Sequence, residues 1–117
     1  MTTDRELLEL AAKAAGLTNL IYCPTWKCMA EYDEHDGGFY KWDTYWNPLA
    51  RDSDALQLCI LARLSIKHGI TSTGAKGGLI SCEQGFSKEF EEVGQDPFIA
   101  IRRAIVQVAA EIGKAMP

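Results

Sequence analysis

Trp46-Asn47-Pro48-Leu49-Ala50-Arg51-Asp52-Ser53-Asp54-Ala55-Leu56 reads as an anchored helix start with no catalytic chemistry attached. Pro48 pushes Asn47 out of the α region, and Asp52 or Ser53 can accept a hydrogen bond from the free amides of the next turn. A helix is therefore expected over residues 53–63, where Ala55, Leu58, Cys59 and Ala62 recur at i, i+3, i+4 and i+7. Trp46 and Asn47 have two roles open to them. They can hold that helix onto a sheet, or line a ligand pocket with an aromatic face and an amide.

Two further helices bracket the chain. Thr3-Asp4-Arg5-Glu6 matches a capping box, and Leu7, Leu8, Ala11, Ala12 and Ala15 follow at helical spacing until Gly16 closes the turn, so residues 4–15 should be helical. Asp96-Pro97 supplies an N-cap and a proline at the first helical position. Phe98, Ile101, Ile105, Val108 and Ile112 then face one way, which predicts a helix over residues 97–114.

Between the first two helices, Met29-Ala30-Glu31-Tyr32 and Phe39-Tyr40-Lys41-Trp42 flank a polar loop, Asp33 to Gly38, and read as a β-hairpin. Strand patterns at residues 64–68, 79–83 and 86–93, separated by Gly-rich and Glu-Gln-Gly turns, predict an antiparallel meander. Ala75-Lys76-Gly77-Gly78 reads as a mobile hairpin tip, since no helix follows to make it a phosphate loop. The expected fold is a single α+β domain: an antiparallel sheet with N-terminal, central and C-terminal helices.

With 117 residues, 47% of them hydrophobic, the chain can bury a core without disulfides or a metal. A formal charge of −4 argues against a nucleic-acid binder, whose phosphate contacts need excess Lys and Arg on one face. An acidic surface can instead meet a basic groove on a partner. No 18-residue apolar run is present, and Asp4 stands where a signal peptide would be basic, so a soluble, cytosolic chain with no membrane association is expected. Reduced thiols follow for Cys23, Cys28, Cys59 and Cys82. The single C-x4-C pair, Cys23 and Cys28, lacks a second pair to complete a zinc site, although His35 or His68 could contribute a ligand.

Neither G-x-S-x-G nor H-E-x-x-H occurs. His35 sits in a solvated acidic turn, His68 has no nucleophile implied by spacing, and Glu91 and Glu92 point to opposite faces of a strand. The chain is not expected to be an enzyme or to carry a cofactor or metal. The remaining constellation is aromatic and cationic: Trp42, Tyr45, Trp46, Asn47 and Arg51 in one segment, with Lys67, Arg102 and Arg103 on neighbouring elements. An aromatic face under a base and a guanidinium on a phosphate is how a nucleotide is held. The competing possibility is that the tryptophans fill the core while Arg102 or Arg103 snorkels to solvent or pairs with a carboxylate.

Trp46-Asn47-Pro48, Asp54-Ala55, the strand from Leu64 to His68 and the closing helix from Asp96-Pro97 to Gly113 resemble small phage proteins of the phage ABA sandwich group. The aromatic hairpin and the Gly-rich 74–78 segment depart from that pattern. The resemblance implies an α-β-α sandwich encoded by a bacteriophage or prophage, and it carries over no catalytic residue. It also implies an accessory protein that counters host defence, acting as an oligomeric sponge for a nucleotide immune signal or as an acidic inhibitor of a host defence protein.

Overall fold

The computed structural model describes residues 2–92 and 96–117. Within these residues the chain forms an α+β fold with three helices, α1 (Asp4–Ala14), α2 (Asp52–Leu61) and α3 (Pro97–Ala115). Its seven short strands are β1 (Ile21–Cys23), β2 (Cys28–Ala30), β3 (Tyr32–Asp33), β4 (Phe39–Tyr40), β5 (Leu64–Ile70), β6 (Lys76–Cys82) and β7 (Ser87–Glu91). They pair antiparallel as β1-β2, β3-β4 and β5-β6-β7, the last being the expected meander.

Thr3 caps α1, its hydroxyl accepting from the Glu6 amide at 3.2 Å and donating to the Glu6 carboxylate at 3.3 Å, so the N-cap half of the expected capping box forms. Asp96 caps α3 by accepting from the Phe98 amide at 2.9 Å, with Pro97 in the first turn as expected. Helix α3 is the centre of the molecule. Ala104, Ile105, Val106, Val108, Ala109, Ala110 and Ile112 are all buried, so it is covered on more than the single predicted stripe. One side receives Ile80 and Phe90 of the meander, and another receives Leu7, Leu8, Ala11 and Ala12 of α1. At Gly113 the two helices touch backbone to backbone, because a Cβ there would overlap the Leu10 carbonyl oxygen. Residues of small volume on both helices allow that approach.

Four expectations are corrected. Arg51, not Asp52 or Ser53, occupies the cap position of α2 and makes no side-chain cap. Asp52 instead lies in the first turn and reaches across to α3, so the helix start is met by acidic charge rather than by a capping oxygen. The predicted hairpin is divided: Met29 and Ala30 pair backwards with β1, and only Tyr32–Asp33 pairs with Phe39–Tyr40. The tip of the β5-β6 hairpin lies at residues 71–75, where Thr71 and Ala75 close the turn; Lys76, Gly77 and Gly78 belong to β6. Phe98, placed with the core by periodicity, is 58% exposed because it lines an open groove between α2, β5 and α3. The predicted end of β7 at Val93 lies outside the described residues.

Candidate functional site

The aromatic-cationic cluster does not assemble into one pocket. Trp46 is 4% exposed and joins the edge of β2, with Met29 and Trp46 exchanging backbone hydrogen bonds of 2.9 and 2.8 Å. Its indole Nε1 donates to Gln57 Oε1 at 3.0 Å, which ties the β1-β2 layer to α2. A ring buried on both faces cannot stack on a base. Asn47 is equally committed: its amide donates to Asp54 at 2.8 Å, its side-chain oxygen accepts from the Leu49 amide at 3.1 Å, and its Nδ2 donates to the Lys27 carbonyl at 3.3 Å. Of the two roles open to Trp46 and Asn47, the structure assigns the structural one.

The cations separate in the same way. Arg102 carries a side chain only 13% exposed, held by Asp52 at 2.7 Å and by the Leu49 carbonyl at 3.0 Å, so it staples α3 to the start of α2. Arg51 leans on Asp54 at 3.7 Å. Trp42 stands out on a 3-10 turn at 79% exposure, and Lys67 lies exposed in β5. Arg103 is one residue from Arg102 but about 100° round the helix, and it faces α1 instead, meeting Asp4 at 3.1 Å.

That turn of α3 places Arg103 in a cleft of about 570 Å³ between the start of α1, the beginning of β7 and one face of α3. Leu7, Phe86 and Val108 supply apolar surface, while Thr2, Ser87, Lys88, Gln107 and Glu111 supply polar groups. Arg103, Gln107 and Glu111 are spaced i, i+4, i+8, so α3 presents them as a stripe. Lys88 pairs with Ile80 across β6, and Ile80 is fully buried against the helices, so Lys88 lies on the same side of the sheet as α3. Lys88 and Arg103 meet Glu111 in this lining and Asp4 beside Arg103, so the wall's charges balance until Asp4 is displaced.

Arg103 and Asp4 form an exposed ion pair, with side chains 46% and 64% accessible. Exposed pairs of this kind contribute at most about 1 kcal/mol. An incoming phosphate or carboxylate can therefore displace Asp4 and reach the Arg103 guanidinium, whereas the Arg102 side chain is only 13% exposed and is also held by the Leu49 carbonyl. Of the expected site residues, Arg103 is thus the one positioned for an anion. Lys88, Gln107, Ser87 and Phe86 were not singled out by sequence; the polar stripe opposite the apolar face of α3 was the signal for Gln107.

The four cysteines are free thiols. Cys23 and Cys28 are register partners in the β1-β2 pair, so they face each other across it. Burial first, and the neighbouring Cys23 second, push the Cys28 thiol above its ordinary range; burial alone does so for Cys59. Neither is poised as a nucleophile. His68 lies 3.6 Å from Glu92 and edge-on to Phe90, and the His35 amide donates to Asp33 in its turn at 2.9 Å. Among the described residues no group of three or more His, Cys, Asp or Glu side chains could hold a metal ion, and no helix is long and apolar enough to cross a membrane. No family model, curated protein or solved structure matches this chain.

Proposed function

We propose that this protein binds a small phosphate-bearing ligand of the nucleotide class in the α1-β7-α3 cleft and acts by occupancy, without turnover. The observation that carries this is that Arg103 and Lys88 line one cleft with the apolar side chains of Leu7, Phe86 and Val108. A guanidinium and an ammonium attract the phosphate, and the apolar wall accepts the flat face of a base. Gln107 and Glu111 offer an amide and a carboxylate for the base edge. No activated nucleophile or paired acid and base meets the ligand there, which supports sequestration rather than reaction.

The resemblance to phage ABA sandwich proteins, resting on the residues quoted above, supplies the setting. In it the ligand is a nucleotide immune signal, the protein works in the host cytoplasm, and the consequence is loss of a host defence response. A purely electrostatic inhibitor is less well supported, because several carboxylates it would present are engaged internally: Asp33 by the His35 amide, Glu91 by the Thr73 hydroxyl and Glu92 by His68.

Native mass spectrometry of protein purified from cells with active nucleotide signalling tests the proposal. Extra mass that is released chemically unchanged on heating supports it. Release of a cleaved or altered nucleotide would identify an enzyme, and wild-type protein that carries no ligand and binds none of a panel of cyclic and linear nucleotides would reject the cleft as a nucleotide site.

A further inference from the structure

On the opposite side of the molecule from the Arg103 cleft, α2, β5 and the first turn of α3 enclose an open groove of about 400 Å³ lined by Ala55, Leu56, Cys59, Ile66, Phe98 and Ile101 among others. Asp52, His68 and Arg102 also line it, and the rest of its lining is apolar. Leu56, Ile60, Ile66, Ile70, Phe98 and Ile99 are each between 43% and 72% exposed. Leu56 and Ile60 are one turn apart on α2, and Ile66 and Ile70 share one face of β5. Leu56, Ile66 and Phe98 line the groove itself, and Ile60, Ile70 and Ile99 extend the exposed apolar surface along the same three elements, toward the roughly 800 Å² per partner that a stable interface buries. Scattered exposed hydrophobics need no explanation, but three that line one groove do.

The groove adjoins a free sheet edge. β5 is the first strand of the β5-β6-β7 sheet and, among the described residues, pairs only with β6. Its seven residues, Leu64-Ser65-Ile66-Lys67-His68-Gly69-Ile70, contain no proline, and Lys67 is the one lysine guarding them. Such an edge leaves backbone N–H and C=O groups directed outward and invites a further strand.

We propose that a second copy of this chain covers this face, pairing its β5 antiparallel with β5 about a two-fold axis normal to the sheet. That axis is the arrangement by which a strand adds to its own copy with both helix-bearing faces on one side. The result is a continuous six-stranded sheet. The α2 helices and α3 starts then meet above the new junction, so that Leu56, Ile60 and Phe98 of each copy cover those of the other. Lys67 alternates with Ile66 along β5, so it projects from the other face and stays in solvent. The dimer leaves both Arg103 clefts open at the far edges of the sheet.

Sedimentation velocity over a concentration series, with hydrogen exchange on the same samples, tests this. Wild-type protein should sediment with twice the 12.9 kDa chain mass, and the alternate β5 amides not bonded to β6 should exchange more slowly as concentration rises. Leu56→Glu with Ile60→Glu should give a folded single chain by circular dichroism, while Ile21→Glu, at an exposed apolar position on β1, should leave the dimer intact. If the charged pair unfolds the chain, Leu56→Ser with Ile60→Ser gives the same readout. A single-chain mass at every concentration, a dimer indifferent to the α2 changes, or a dimer whose β5 amides exchange freely would each overturn the proposal.

Discussion

Gly113 is where a single methyl group matters most. A Cβ at this position would overlap the Leu10 carbonyl, a backbone atom that cannot rotate away. Gly113→Ala should therefore wedge α1 from α3 and destabilise the fold by about 1–3 kcal/mol despite the better helix propensity of alanine, which denaturant unfolding measures. Trp46→Phe keeps the buried ring but removes the hydrogen bond to Gln57; about 1 kcal/mol of stability should be lost, with ligand binding unchanged. Two of the three buried thiols carry a pH signature. Cys28 and Cys59 have ordinary values near 9.0 and are raised in the fold, so between those limits the unfolded chain holds fewer protons than the native one. Stability should be full below about pH 9 and fall as pH rises further, and Cys28→Ala with Cys59→Ala should flatten that alkaline slope in a series of thermal melts. At this scale the sequence left Trp46 with two roles, and only its burial decides between them. A tryptophan beside a proline looks the same whether its ring faces the core or a ligand.

Helices were legible because capping residues and 3.6-residue spacing are local properties. The Thr3 cap, the Asp96-Pro97 start and the Ala55, Leu58, Cys59, Ala62 stripe all stand where the pattern placed them. Strands were less so. β1 is three residues, Ile21-Tyr22-Cys23, too short to show alternation, and its pairing with β2 broke the hairpin expected between residues 29–32 and 39–42. Strand pairing depends on partners distant in sequence, and Trp46, whose bridge to Met29 completes that edge, lies 17 residues away. The phase of α3 gives a direct test at this scale. Ile105 is 3% exposed at the helix centre, whereas Gln107 lines the open cleft. Ile105→Asp should unfold the chain, since an unpaired buried carboxylate costs several kcal/mol, of the order of the whole stability; Gln107→Asp should melt close to wild type. Equal melting temperatures for the two variants would show that the helix is rotated.

For the molecule as a whole, the cleft joins Leu7, Lys88 and Arg103 from three elements that meet only after α1 docks on α3 and β7 closes the sheet. No spacing rule connects residues so far apart, which is why sequence reasoning gathered the cations around Trp46 and reached only Arg103. Neighbouring arginines also read alike in sequence, yet helical rotation leaves Arg102 13% exposed between Asp52 and the Leu49 carbonyl and turns Arg103 to the open wall. The division of labour between these two residues is the centre of the functional proposal, and isothermal titration measures it. Cyclic and linear nucleotides would be titrated into wild-type protein and into Arg103→Glu, Lys88→Glu and Trp46→Phe. The predicted result is binding by wild type and Trp46→Phe, with affinity reduced about ten- to hundredfold by either charge reversal, as expected for losing a charged hydrogen bond to phosphate. Nucleotide binding that persists unchanged in Arg103→Glu and Lys88→Glu, or that disappears with Trp46→Phe while the fold is retained, would contradict it.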